Sequence, residues 1–319
     1  MASAAVFTFT PRDRAPHSEM VVVEQLGALL RDGGGRTFAP HASPVIVDLR
    51  PPAAFAENHL VDANSVPIAD LKRRMYELPP PGEWPIELLG DADEISLAQE
   101  LLTPRGWTCA ELDAADAASW ARPTTCGDAT TPVTLRPNAF LDAVLREVPL
   151  PPPGAAIDVG CGGGRDAAYL AQRLPAGWSV HGVDNHVGAL GRARELAAAC
   201  GLSVGFEGRD VRKERCLASL AAPQPLRLVH GCRFLHRPLL LDELPAALAP
   251  GGLLVWSTFL DPRGAGGGAG ARAGRRLQRG ELREALEARG FETLCDEEGE
   301  LHTKGEFVPA QFFAARRLE

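Results

Sequence analysis

One segment restricts this chain more than any other: Ala156-Ile157-Asp158-Val159-Gly160-Cys161-Gly162-Gly163-Gly164-Arg165-Asp166. Its apolar opening predicts a buried strand, the glycines predict a tight loop, and Ala167 to Ala171 continue without a breaker as a helix. A strand, a glycine loop and a helix N-terminus in that order make a site for a nucleotide-sized ligand. Gly160 and Gly162 remove the Cβ atoms that would hold a ligand off the backbone, and the first amides of the helix are expected to be unpaired and to face that ligand. The G-x-G-x-x-G text of dinucleotide folds needs a third glycine where Arg165 stands, whereas D-x-G-x-G-x-G fits through Gly164.

The pattern resembles the first motif of class I S-adenosylmethionine-dependent methyltransferases. Two further acids follow at suitable places. Trp178 to Asp184 reads as a second strand ending in a carboxylate about 20 residues past the loop, where a ribose ligand is expected. Leu202 to Asp210 reads as a third strand, and the resemblance gives Asp210 the adenine amino group. The implied cofactor is S-adenosylmethionine, with Asp158, Gly160, Gly162, Gly164, Asp184 and Asp210 as its binding residues. Pro225 to His230 is the fourth predicted strand, and Ala249 to Phe259 the fifth. The run Arg233-Phe234-Leu235-His236-Arg237-Pro238-Leu239 and the later Leu277 to Leu282 are similar to methyltransferases of the tellurite-resistance type. Ligands of open parallel sheets sit beyond the carboxyl ends of the strands, so Arg233 and His236 are the candidate catalytic residues. Arg233 suits an anionic acceptor such as a chalcogen oxyanion or a thiolate. His236 could accept a proton, or it could anchor the loop together with Arg237.

The 319 residues suggest two domains, and 45% hydrophobic with 23% charged residues is ordinary globular composition. The fold class expected is α/β throughout. Residues 122–133 are polar and proline-punctuated, predicting a linker between a first domain, 1–121, and a methyltransferase domain, 134–319. In the first domain, Pro44 to Arg50 reads as a buried strand, Phe55, His59 and Leu60 follow, and Asp62 to Pro67 reads as a second strand. That order resembles a rhodanese domain. In working members of that family a later strand ends in a persulfide-forming cysteine. Here the matching strand is Pro85 to Leu89, followed by a predicted loop Gly90 to Ser96 and a helix Leu97 to Leu102, and no cysteine is present. Three acids, Asp91, Asp93 and Glu94, would repel an anionic sulfur donor. Arg50 and His59 then read as structural, Cys109 as a small strand residue, and the domain as a noncatalytic unit for docking, dimerisation or regulation.

A formal net charge of −8 without a long basic run argues against a nucleic-acid partner. No run approaches the ~18 apolar residues of a membrane span. The seven cysteines lack C-x-x-C spacing, which predicts no metal site and a reducing, cytoplasmic setting. The glycine-rich stretch from Gly264 to Gly274 is expected to be a lid or an insertion. The sequence thus supports methyl transfer from S-adenosylmethionine to a small-molecule acceptor. A noncatalytic cofactor sensor or scaffold stands as the alternative.

Overall fold

The computed structural model describes residues 44–113, 123–126, 135–261, 276–303 and 306–319. The first element among the described residues is β1 (Val45–Asp48), whose four residues are all buried, as expected of a parallel strand covered on both faces. It continues through α1 (Pro52–Glu57), β2 (His59–Leu60), β3 (Asn64–Ser65), α2 (Ile68–Arg74), a 3-10 turn at Met75–Glu77, β4 (Ile86–Gly90), α3 (Ala92–Leu102) and β5 (Cys109–Asp113). A four-stranded parallel sheet results, in the order β3-β1-β4-β5. Val47, Leu71, Ile86, Leu88 and Leu102 are fully buried between this sheet and its helices.

Two expectations need correction here. Residues 90–96 do not form a loop, because α3 begins at Ala92, directly after β4. The Asp91 side chain accepts from the Glu94 amide at 2.8 Å and the Glu94 carboxylate accepts from the Asp91 amide at 2.9 Å. This reciprocal capping box, D-x-x-E, starts the helix, and the acids serve its N-terminal dipole. The expected linker is also partly structured. Thr124–Thr125 (β6) pairs antiparallel with His59–Leu60.

The second sheet follows α4 (Ala139–Glu147), capped by the Asn138 side chain, which accepts from the Leu141 amide at 3.2 Å. Its elements are β7 (Ala155–Val159), α5 (Arg165–Arg173), β8 (Ser179–Asp184), α6 (Val187–Ala199), β9 (Gly205–Gly208), α7 (Leu217–Ala221) and β10 (Leu226–Cys232). A π-helical turn, Leu239–Glu243, then runs into α8 (Leu244–Ala247), β11 (Leu248–Phe259), α9 (Glu281–Glu287), β12 (Phe291–Thr303) and β13 (Glu306–Arg317). The order is β12-β13-β11-β10-β7-β8-β9, parallel from β11 to β9 and closed at one edge by an antiparallel hairpin. Strand order reverses between β7 and β10. In a doubly wound sheet that reversal opens the ligand crevice at the carboxyl ends of the strands.

The third strand is shorter than expected, Gly205–Gly208 rather than 202–210, and the fourth is longer, reaching Cys232. The glycine-rich stretch from Gly264 to Gly274 lies outside the described residues.

The two sheets belong to one packed body. Trp84 Nε1 donates to the Pro137 carbonyl at 2.8 Å, and Arg165 Nη1 donates to the Leu78 carbonyl at 3.0 Å. Gly106 lies so close to the His302 ring that a Cβ there would come within 1.9 Å of it. Its left-handed φ of 96° is equally a glycine requirement.

Candidate functional site

Four successive parallel strands deliver the site. Gly160 follows β7, Asp184 ends β8, Asp210 follows β9 and Arg233 follows β10. All four line a single cavity of about 350 Å³, together with Asn185, Arg209, Arg212 and Phe234. Its walls are polar and carry both signs of charge.

The glycine loop is held more tightly than the sequence implies. The amides of Gly160 and Cys161 donate to the Val183 carbonyl at 2.8 and 3.1 Å, and that of Gly164 to the Cys161 carbonyl at 2.9 Å. The Gly162 amide donates to Asp184 Oδ2 at 3.0 Å, while Asp184 Oδ1 accepts from His186 N at 2.8 Å. The loop's own amides are thus mostly paired within the protein, and of the helix's first amides that of Ala167 bonds the buried Asp158. Asp184 is the tie between loop and second strand. Each of its oxygens has a further lone pair, so it retains capacity for two hydroxyl donors.

The three loop glycines differ in role. Gly160 (φ 70°) faces the cavity beside Phe234, and a Cβ would only touch that ring at 3.6 Å. Gly162 (φ 51°) has open space where its Cβ would be. Gly164 (φ 76°) is a packing position, since a Cβ would come within 2.6 Å of the Ala193 Cβ on α6. The last two are not cavity-lining residues.

Asp158 lies beneath the loop rather than in the cavity, only 3% exposed. It sits opposite His230 in the β7–β10 register. Burial pushes its carboxyl up to about 7, with His230 acting against that shift. His230 is wholly buried; its Nδ1 lies 3.2 Å from the Val255 carbonyl and its Nε2 3.4 Å from Asp166 Oδ2. Burial alone would raise the Asp166 carboxyl, but the His230 hydrogen bond and the nearby Arg165 hold it below the ordinary range. Burial alone would depress the His230 imidazole, and the two carboxylates raise it instead. The result is a buried Asp158–His230–Asp166 group under the cavity floor.

Arg233 has a backbone φ of 57°, which costs a side-chain-bearing residue about 1–2 kcal/mol. Its amide donates to the Ser257 carbonyl at 2.8 Å, and its Nη2 meets Glu83 Oε1 at 3.0 Å. Glu83 comes from the loop before β4 and is 5% exposed. Its other oxygen accepts from the Asn138 side chain at 3.0 Å and from the Ala139 amide at 2.8 Å. His236 is not among the cavity residues, and its Nδ1 is buried without a hydrogen-bond partner. Burial and the charge of Arg212 depress its basicity. Arg237 binds Glu281 through two nitrogens and also the Arg276 carbonyl, so it anchors the loop to α9. Asp210 accepts from the Arg212 amide at 3.1 Å and pairs with Lys213 at 3.4 Å. Among the described residues no cluster of His, Cys, Asp and Glu could hold a metal ion.

Glu83, Asn138, His230 and Asp166 were not singled out by sequence. They lie far apart along the chain, so no spacing joins them. Arg212, whose guanidinium lies 5.0 Å from the Phe234 ring centre at the cavity, also carried no sequence signal beyond its neighbour Asp210.

A family profile described as "Methyltransferase domain" matches residues 156–252, from β7 into β11. The match spans under a third of the chain, and the cofactor implied by it together with the sequence resemblance is S-adenosylmethionine. The chain is 36% identical over 124 residues to a trans-aconitate 2-methyltransferase of Methylobacterium nodulans, a match covering 38% of this chain and 43% of the relative. The chain thus spans less than half the length of that relative. Among solved structures, TehB from Haemophilus influenzae is similar at 20% identity and a TM-score of 0.43, over 56% of this chain and 61% of that one. The magnesium protoporphyrin IX methyltransferase of Synechocystis, solved with bound S-adenosylhomocysteine, is similar at 20% identity and a TM-score of 0.39, over 56% and 81%.

The residues present fit this cofactor. Asp184 has spare acceptor capacity at the end of β8 for ribose hydroxyls, Asp210 offers an acceptor after β9, and Gly160 leaves the cavity wall free of a side chain. No helix among the described residues is long and apolar enough to cross a membrane.

Proposed function

We propose that this chain transfers a methyl group from S-adenosylmethionine to a small anionic acceptor. The observation that carries this reading is the convergence of Gly160, Asp184, Asp210 and Arg233 on one cavity at the strand ends. Bound there, the cofactor supplies an electrophilic methyl group on a sulfonium. The chain's own contribution is alignment, which can supply roughly 7 to 11 kcal/mol of a displacement barrier. In this reading Asp184 takes the ribose, Asp210 the adenine amino group, and the loop Gly160 to Gly164 the amino-acid end, with Asp158 supporting that loop from below.

Arg233 and Arg212 favour an anionic acceptor over a neutral amine. The trans-aconitate relative supports a carboxylate acceptor, and the tellurite-resistance resemblance supports a chalcogen oxyanion or a thiolate. Arg237, bound to Glu281 and the Arg276 carbonyl, favours anchoring of the loop, and the place of His236 outside the cavity with its lowered basicity disfavours proton transfer.

The first sheet, in this proposal, is a rhodanese-like unit without sulfur chemistry. Its D-x-R strand end is a closed structural clamp, since Arg50 binds Asp48 through two nitrogens at 2.9 and 2.6 Å and reaches the Asn58 carbonyl at 2.7 Å. His59 stacks on Phe55 at 3.8 Å and bonds the Phe55 carbonyl. At the nucleophile's place stands Gly90 or Leu89, at the end of β4 and ahead of the acidic cap of α3.

Methyl-labelled cofactor offered with trans-aconitate, selenite, tellurite and a small thiol tests the reading. Label should pass to at least one anion, and Arg233→Ala should cut that transfer far more than it cuts cofactor affinity. Transfer to a neutral amine alone would refute the acceptor class. Absence of any transfer, with cofactor still bound, would favour the sensor alternative.

A further inference from the structure

Arg233 at the cavity takes the carboxylate partner of its guanidinium from outside the methyltransferase domain. Arg233 is held at three points: its amide donates to the Ser257 carbonyl, Nη1 lies 3.8 Å from the Cys232 sulfur, and Nη2 meets the carboxylate of Glu83 at 3.0 Å. Glu83 lies 150 residues earlier, in the turn that links the first sheet's helices to β4. Its second oxygen is held by Asn138 and Ala139 at the N-terminus of α4, and Asn138 N in turn donates to Asp166 at 2.8 Å. A continuous polar chain therefore runs from the buried Asp166–His230 pair through Asn138 and Glu83 to Arg233 at the cavity. One link of that chain belongs to the first unit. A lone buried Glu83 would be costly to fold around, and a lone Arg233 would be free to swing away from the cavity.

We propose that Glu83 is a positioning residue of the cavity: the first unit supplies the carboxylate that aims Arg233 at the anionic group of the acceptor. This rests on the reading of Arg233 as the acceptor-side cation. It makes the first unit part of the site rather than an appendage. It also explains why one body holds both sheets, with Trp84, the residue after Glu83, bonded to Pro137 just ahead of α4.

The test uses the full chain saturated with S-adenosylhomocysteine, so that cofactor affinity is measured first and separately. Trans-aconitate and selenite are then titrated as probes, and the side-chain nitrogen signals of 15N-labelled arginine are followed, with Arg233 assigned by its loss in Arg233→Lys. In the parent, the guanidinium signal of Arg233 should be that of a rotationally restrained, paired group and should shift with at least one anion. Glu83→Gln should average that signal and weaken anion binding about tenfold, the loss of one charge-assisted contact, while cofactor affinity changes little. Glu83→Asp, which keeps the charge, should recover part of the anion affinity. Because Glu83→Gln leaves Arg233 unpaired and could unfold the chain, the double variant Glu83→Gln/Arg233→Gln supplies a neutral pair. If Glu83 acts through Arg233, adding Glu83→Gln to Arg233→Gln should not change anion affinity further. Parental anion affinity in Glu83→Gln would overturn the proposal, as would an additive effect in the double variant. No Arg233 shift with either anion, in a parent that binds S-adenosylhomocysteine, would also overturn it while leaving the cofactor reading intact. Failure of the parent to bind S-adenosylhomocysteine would overturn both.

Discussion

Truncating Asp184 to alanine removes the tie between the glycine loop and the second strand, and with it the carboxylate assigned to the ribose. In the free chain two amide bonds are lost, from Gly162 at 3.0 Å and His186 at 2.8 Å. Hydrogen bonds to a charged group contribute about 1.5–3 kcal/mol each when buried, and both of these lie near solvent, so the lower end applies to the loop itself. The cofactor loses its ribose contacts and also meets a loop that is no longer held in place. A loss of about 1.5 to 3 kcal/mol in binding corresponds to roughly a 10- to 150-fold rise in Kd. Asp184→Asn should fall between the two, because its carbonyl can replace only one acceptor while its NH2 group faces a second donor. Titration calorimetry with S-adenosylhomocysteine measures the Kd, and urea unfolding of the free chain separates the loop's own loss. A parental Kd in Asp184→Ala would refute the assignment of this cavity to the cofactor.

Gly162→Val has open space for its Cβ but forces a β-branched residue to φ 51°, so it should lose some stability, distort the loop and with it lose cofactor binding; calorimetry and circular dichroism together check this. Gly164→Val should instead fail to fold or lose several kcal/mol of stability, since its Cβ would collide with Ala193 on a neighbouring helix. The buried Asp158 gives a pH signature. Its folded pKa, raised by burial to about 7, lies above the unfolded value of about 3.9, so the folded state binds the extra proton and this group's contribution to stability declines as pH rises from about 4 to about 7. Asp158→Asn should flatten the unfolding free energy across that window, and an unchanged slope would show that the carboxyl titrates normally. Removing His230 as His230→Ala should cost about 2–5 kcal/mol in urea unfolding, because it empties a buried site and takes from Asp166 one of its partners, leaving the Asn138 amide and the nearby Arg165.

Much of the second sheet could be read from the sequence because its strands are short apolar runs ending in punctuation: Asp184, Asp210 and the glycine loop all mark strand ends. Boundaries failed where hydrogen bonding overrode the pattern. The acids after β4 look like a loop until the D-x-x-E spacing of Asp91 and Glu94 is recognised as a cap that starts a helix at once. Thr124 and Thr125 look like linker because a two-residue strand has no period to detect. In the site, residues at strand ends were legible, whereas Glu83 and Asn138 were not, since their meaning comes from the packing of one sheet's turn against another sheet's entry helix. Asp158 and Gly164 were legible as a motif but not in their placement. The motif's text does not distinguish a residue facing the ligand from one buried under the loop or packed against α6.

What the cavity at the strand ends binds decides its function most directly. Titration calorimetry of the full chain with S-adenosylmethionine, S-adenosylhomocysteine, NAD and NADP is the measurement. Micromolar binding of the first two, with no heat from the nicotinamide cofactors and with affinity lost in Asp184→Ala, is the expected result. Comparable binding of NAD, or binding of S-adenosylmethionine that is indifferent to Asp184, would contradict it.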